Sequence, residues 1–209
     1  MKSRRAALAA LVVGVLLANG DLLQVPGDHG IESLMIFLFP DSSLFEETVS
    51  FTQHGVFALQ SYHLVQRGPA FADDLDASLS ADARYLVKAK SHRDGKEKQY
   101  DGRLDLPPDV SNGLVVTLLK NLARQDTQTV HLVAFTPAPR LIRLELAPAG
   151  EEQVLNGLVG FFARLLGKMP PDSHAWIVVH DVPAFVRVVG PLYTGPVLRV
   201  DLSSPHWPR

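Results

Sequence analysis

Between Leu75 and Leu106 the side chains alternate between apolar and polar with a period of two. Leu75, Ala77 and Leu79 fall on one side, Asp76 and Ser78 on the other. Tyr85, Val87 and Ala89 oppose Leu86, Lys88 and Lys90, and Tyr100, Gly102, Leu104 and Leu106 line up in turn. Successive side chains of a strand point to opposite faces, so this period predicts strands with one face in a core. The polar stretch between the last two holds Asp94-Gly95, a strong hairpin-turn signal. Leu34–Phe39 predicts a buried strand, and Thr48–Phe51 with Val56–Val65 predicts a pair around a His54-Gly55 turn. Tyr62 and Leu64 share a face in the second of these. Arg67-Gly68-Pro69 then breaks the pattern.

Two stretches read at helical spacing instead. Leu114, Leu118, Leu119 and Leu122 follow Pro107-Pro108-Asp109, with Asp109 or Ser111 placed to cap a helix by accepting an orphan backbone N–H. Val154, Leu155, Leu158, Phe161, Phe162, Leu165 and Leu166 recur at spacings of one, three and four, which predicts a second helix over Glu151–Gly167. Glu151 and Glu152 at its start, and Arg164 and Lys168 near its end, suit a helix dipole. Thr129–Phe135, Arg140–Leu146, Ala175–Val179, Ala184–Val189 and Pro196–Leu202 read as further strands. The expected fold is mainly β (α+β), with an antiparallel sheet of about nine or ten strands and two helices.

The first twenty residues have a different character. Lys2, Arg4 and Arg5 precede Ala6–Ala18, a run without a polar side chain, and Ala18 and Gly20 are small. Basic, apolar, small-x-small is the layout of a secretory signal peptide. The expectation is a leader at residues 1–20 cut after Gly20, a single β-rich domain at residues 21–209, and a periplasmic or secreted product. The rival is an uncleaved N-terminal anchor, although the run is short of the roughly 20 apolar residues that a crossing helix needs. No later run is long enough to span, so no transmembrane segment is expected after cleavage. The chain has no cysteine, which removes lipoprotein anchoring, disulfides, thiolate metal sites and cysteine nucleophiles together. Loss of the three basic residues takes the formal charge from −2 to −5. An acidic product argues against nucleic-acid binding and against docking on anionic lipid by bulk charge.

No Gly-x-Ser-x-Gly elbow, phosphate-binding loop, dinucleotide fingerprint or His-Glu-x-x-His helix is present. His174 and His180 flank the strand that carries Trp176, with no third ligand beside them. His131 sits on a strand, opposite in face to Val130 and Leu132, and reads as a surface or satisfied histidine. Asp73, Asp74 and Asp76 resemble the start of a calcium loop, but Leu79 and Tyr85 stand where a glycine and a bidentate acid belong. Lys88, Lys90, His92, Arg93, Lys96 and Lys98 are diluted by Asp94 and Glu97 and read as a solvated hairpin tip. No catalytic residue, metal site or cofactor is assigned. Phe161, Phe162, Trp176 and Tyr193 are the candidates to line a pocket for an apolar ligand, and read equally well as core.

Four segments carry a resemblance. They are Arg67-Gly68-Pro69-Ala70-Phe71-Ala72, the stretch from Leu104-Asp105-Leu106-Pro107-Pro108 to Lys120-Asn121-Leu122, Leu166-Gly167-Lys168-Met169-Pro170-Pro171-Asp172, and Gly190-Pro191-Leu192-Tyr193. Together they resemble uncharacterised exported bacterial proteins, similar in turn to a broader periplasmic domain family of unknown function. Trp176 and Pro183–Arg187 match its late aromatic strand. The resemblance implies a strongly curved antiparallel sheet, a half-barrel or clam like that of periplasmic lipoprotein carriers, with two helices packed on its concave side. It carries over no ligand site. Related sequences have a further strand pair between the Ala147–Gly150 turn and Leu165–Lys168, where this chain reads as helix. The leading expectation is a soluble, exported, non-enzymatic protein that binds an apolar or lipid-like ligand in the concavity. The alternatives are an envelope module with a filled core that meets a protein partner, and an unrecognised hydrolase working through His131, His174 or His180.

Overall fold

The structure, a computed structural model, describes residues 4–12, 15–28, 30–54, 56–121, 127–135, 138–155, 158–167, 174–178, 184–191 and 197–206. Among them are fourteen strands in one antiparallel sheet and one short helix. The strands are β1 (Arg4–Val12), β2 (Val15–Gly27), β3 (Gly30–Leu38), β4 (Leu44–His54), β5 (Val56–Arg67), β6 (Asp73–Ser80), β7 (Arg84–Ser91) and β8 (Glu97–Arg103). After the helix α1 (Val115–Asn121) come β9 (Gln128–Phe135), β10 (Pro139–Leu155), β11 (Leu158–Gly167), β12 (His174–Val178), β13 (Ala184–Pro191) and β14 (Val197–His206). The order across the sheet is β8-β7-β6-β5-β4-β3-β2-β1-β14-β13-β12-β11-β10-β9. The first and last strands meet in the middle, and the two edges, β8 and β9, are consecutive in sequence.

The alternation read from the sequence sets the inner face. Leu75, Ala77 and Leu79 of β6 pair with Ala89, Val87 and Tyr85 of β7, and Tyr62 and Leu64 of β5 pair with Leu79 and Ala77. Phe45, Val49 and Phe51 continue this face on β4 and are buried. Leu114, Leu118 and Leu119, from α1 and its first turn, are buried in the same core. Gln24 of β2 donates to Thr117 of α1 over 3.1 Å, and the Tyr62 ring of β5 stacks on Phe135 of β9 at 5.8 Å. The helix and the β9 edge thus lie on the inner side of the first half of the sheet.

Two expectations are corrected. The predicted second helix over Glu151–Gly167, with Phe161 and Phe162 on its stripe, is a hairpin: Leu144 to Leu155 pair with Gly167 to Leu158. A short apolar run such as Leu158–Ala163 satisfies strand and helix patterns alike, and pairing decides between them. The signal for the hairpin is Asn156-Gly157, a favoured turn dipeptide, lying between the paired Leu155 and Leu158. The interval read as helix is therefore filled by paired strands, and one helix, not two, occurs among the described residues. The second correction concerns the helix cap. Ser111 Oγ donates to the Asp109 carbonyl over 2.9 Å, and the Asp109 carboxylate faces His131 instead of a helix N–H.

The expected leader also has a place in the sheet. Arg4–Val12 pairs with β14 on one side and β2 on the other. Ala18 is buried, and a Cβ on Gly20 would collide with the Ile36 carbonyl and the Phe37 ring.

Candidate functional site

The most specific polar construction lies where the chain leaves β8 and covers β9. Val110 forms a parallel bridge to His131. The Ser111 N–H donates to the His131 carbonyl over 2.8 Å, and the His131 N–H to the Asp109 carbonyl over 3.3 Å. One step further the backbone gives way to a side chain. Asn112 Nδ2 donates to the Val133 carbonyl and Oδ1 accepts from the Val133 N–H, both at 2.8 Å. Asn112 is 4% exposed, so these bonds satisfy backbone groups that water does not reach. The Asp109 carboxylate holds His131 Nδ1 at 2.8 Å on the flank. Gly113 follows at φ +69°, where a Cβ would sit 3.0 Å from Val49 and 3.3 Å from Glu47.

Glu47 is the one carboxylate in the inner row of β4. It stands between Phe45 and Val49, and Tyr62 Oη donates to its Oε2 over 2.8 Å. Burial pushes the Glu47 carboxyl up to about 6, although the Tyr62 hydrogen bond pulls the other way. Burial first, and then the Glu47 charge, push the Tyr62 phenol well above its ordinary value. The sequence carries a signal for it: in Phe45-Glu46-Glu47-Thr48-Val49-Ser50-Phe51, position 47 breaks an apolar row. A pair of this kind holds and exchanges a proton near pH 6. The two described clefts do not reach it. One, of about 520 Å³, lies among Ser80, Asp82, Arg103, Asp105 and Pro107; the other, of about 390 Å³, lies among Arg67, Asp76, Lys88, Lys90 and Lys98. Among the described residues no buried side-chain nitrogen or oxygen lacks a hydrogen-bond partner.

Of the residues expected to line an apolar pocket, Trp176 has a described side chain. Trp176 lies between Ala175 and Ile177, both fully buried, so it faces away from the core. There it carries the Arg187 guanidinium at 5.6 Å and the His174 ring at 6.0 Å. Arg187 and Arg199 both bind Asp201, at 2.6 and 2.9 Å. Burial raises the Asp201 carboxyl, but these arginines outweigh it and hold the group below its usual range. Phe161 pairs with Ile177 and Phe162 with Trp176 in the β11–β12 register. Tyr193 and His180 lie outside the described residues.

Several other histidines and acids are occupied locally. His63 meets Asp76 at 2.9 Å. His92 meets the Phe71 carbonyl at 3.0 Å and Asp74 at 2.8 Å. Asp74 also accepts the Gly68 N–H over 2.8 Å, and Ser43 Oγ accepts the Ala70 N–H over 2.9 Å. The Arg67–Ala72 motif is thus a pinned corner between β5 and β6. In the basic hairpin tip, Lys90 pairs with Glu97 and Lys96 with Asp94. No group of three metal-ligating side chains occurs among the described residues.

These features define a mainly β, antiparallel protein with a single short helix among the described residues. A solved structure of similar fold is the β-barrel-like protein of the domain of unknown function DUF1849 from Brucella abortus. It matches at a TM-score of 0.50 and 10% identity, over 98% of this chain and 96% of that one. At that identity the likeness speaks for the fold alone. No protein-family model matches the chain, and no curated protein matches it.

Proposed function

We propose that the protein is a non-catalytic, barrel-like module whose interior is filled by its own helix, and that it acts through its surface on a protein partner. One observation carries this reading: Leu114, Leu118 and Leu119 are buried on the inner side of the sheet, where a ligand chamber would lie. A cavity that takes a drug-sized or acyl ligand needs about 300 Å³ or more of mostly apolar lining. The two clefts reach that size, but both are open to solvent: the larger mixes apolar residues such as Leu59, Leu104 and Leu106 with Asp82, Arg103 and Asp105, and the smaller is lined mainly by charged side chains. Carriage of an acyl chain, which the likeness to periplasmic lipoprotein carriers implies, would require α1 to leave its place. Against the hydrolase reading, the Ser111 hydroxyl close in sequence to the Asp109–His131 pair donates to the Asp109 carbonyl instead of to the His131 ring.

The test is native mass spectrometry of protein purified from its own source, with a titration of N-phenyl-1-naphthylamine. The reading predicts the bare polypeptide mass and no fluorescence gain. A co-purifying lipid, or saturable probe uptake, overturns it.

The compartment turns on residues 1–20. The basic, apolar, small layout supports export. The pairing of Arg4–Val12 on both sides, and the burial of Ala18, support retention of the segment in the folded body. The two uses exclude each other, since a leader is removed and a strand stays. We favour the strand, which leaves export supported by the layout alone. N-terminal sequencing of native protein decides: a start within the first few residues supports retention, and a start at Asp21 supports export.

A further inference from the structure

We propose that β8 is a self-association edge, pairing antiparallel with β8 of a second copy about a two-fold axis at Tyr100. This goes beyond the filled-core reading and stands or falls separately from it.

The backbone ladder sets which groups are on offer. The Ser91 N–H donates to the Lys96 carbonyl over 2.9 Å, and the Leu104 N–H to the Ala83 carbonyl over 3.0 Å. Hydrogen-bonded and non-hydrogen-bonded pairs alternate between these two ends. Lys98, Tyr100 and Gly102 therefore turn their N–H and C=O groups toward Ala89, Val87 and Tyr85 of β7. Glu97, Gln99, Asp101 and Arg103 turn theirs outward, where no strand follows β8 in the sheet. Every residue of β8 except Tyr100 is exposed.

Hydrogen-bonded partners across a two-fold must both come from that outward set. With the axis at Tyr100, Glu97 meets Arg103 of the second copy and Gln99 meets Asp101. An acid thus faces a base, and an amide faces a carboxylate. All seven residues of the strand are paired, with Tyr100 opposite its copy and Lys98 opposite the small Gly102. Moving the axis one residue in either direction destroys the match. An axis at Gln99 sets Glu97 against Asp101, and an axis at Asp101 sets that aspartate against itself. Like charges directly opposite destabilise a sheet, whereas opposite charges support it. One register is favoured among its neighbours. The other edge offers no competing site, because Asp109–Asn112 already cover β9.

The contact is one strand wide, so the dimer is weak and depends on concentration. Sedimentation velocity of the full chain from about 1 to 500 µM should show reversible dimer formation. Glu97→Arg and Arg103→Glu should each raise the dissociation constant about tenfold or more. An equimolar mixture of the two single variants should recover wild-type association, because each mismatched charge then meets its opposite in trans. Circular dichroism of each variant separates lost pairing from lost folding. Recovery in the mixture supports the register even if one variant is less stable alone. A wild-type chain that stays monomeric throughout, single variants that associate as the wild type does, or a mixture without recovery each overturns the proposal.

Discussion

The two margins of this sheet are finished in opposite ways. At β9 the chain lays Asp109–Asn112 along the edge, and the Asn112 amide stands in for a strand residue on both backbone groups of Val133. At β8 the outward backbone groups meet no further strand, and the exposed side chains are charged or polar. The cause is connectivity. The segment that covers β9 is the one leaving β8, so the same residues cannot also run back along β8. An unpaired edge invites another chain unless charges discourage it. At β8 the charges are arranged so that a second copy of the strand complements them.

The largest effect expected on this contrast comes from Asn112→Ala. It strands a buried N–H and a buried carbonyl on Val133, which should cost about 2–4 kcal/mol in a urea titration. A loss below about 0.5 kcal/mol would show that the edge is held by something else. Next is Glu47, which sits below the covered seam. Its carboxyl is raised from the ordinary 4.5 to about 6, so the folded state binds this proton more tightly. Its contribution is fully present below about pH 4.5 and is lost as pH rises through 6, a change of about 2 kcal/mol. Glu47→Gln removes that dependence. The stability of the variant relative to wild type should therefore rise by about 2 kcal/mol between pH 4 and pH 7, and a flat difference would contradict the burial of the group. Gly113→Ala places a Cβ at φ +69° and 3.0 Å from Val49, and should cost about 1–2 kcal/mol by thermal or urea melting. At the open margin, Arg103→Glu should leave monomer stability within about 0.5 kcal/mol. The two edges therefore answer to different assays, β9 to folding and β8 to association.

Much of the sheet is legible in the sequence because one of its faces is buried. The period of two in Leu75–Leu79 and Arg84–Lys90 marks β6 and β7 with their inward residues, whereas the strand read over Tyr100–Leu106 lies at Glu97–Arg103, with Leu104 and Leu106 beyond its end. The leucines from Leu114 mark α1 because Leu114, Leu118 and Leu119 recur at spacings of four and one, with Thr117, Lys120 and Asn121 beside them. The Glu151–Gly167 hairpin reads as a helix because Val154, Leu155, Leu158, Phe161, Phe162, Leu165 and Leu166 fall at helical spacing, although the apolar run Leu158–Ala163 within it suits a strand equally. The first strand is hidden because Ala6–Ala18 has the composition of a leader, and Ala6–Val12 within it lies in a strand paired on both sides. Asn112 is invisible as a covering residue. Its role depends on Val133, twenty-one positions away, and no local pattern reports such a partner. Trp176 enters a pocket lining on its aromatic character alone, whereas the burial of Ala175 and Ile177 turns it outward.

Hydrogen exchange followed by mass spectrometry tests the filled interior most directly. The Leu118 N–H donates to the Leu114 carbonyl over 2.8 Å in a helix whose leucines are sealed inside the sheet. The amides of Val115–Asn121 should exchange as slowly as those of β4 and β5. Exchange of the helix many times faster than that of these strands would mean that α1 leaves its seat and opens a chamber, which contradicts a filled interior.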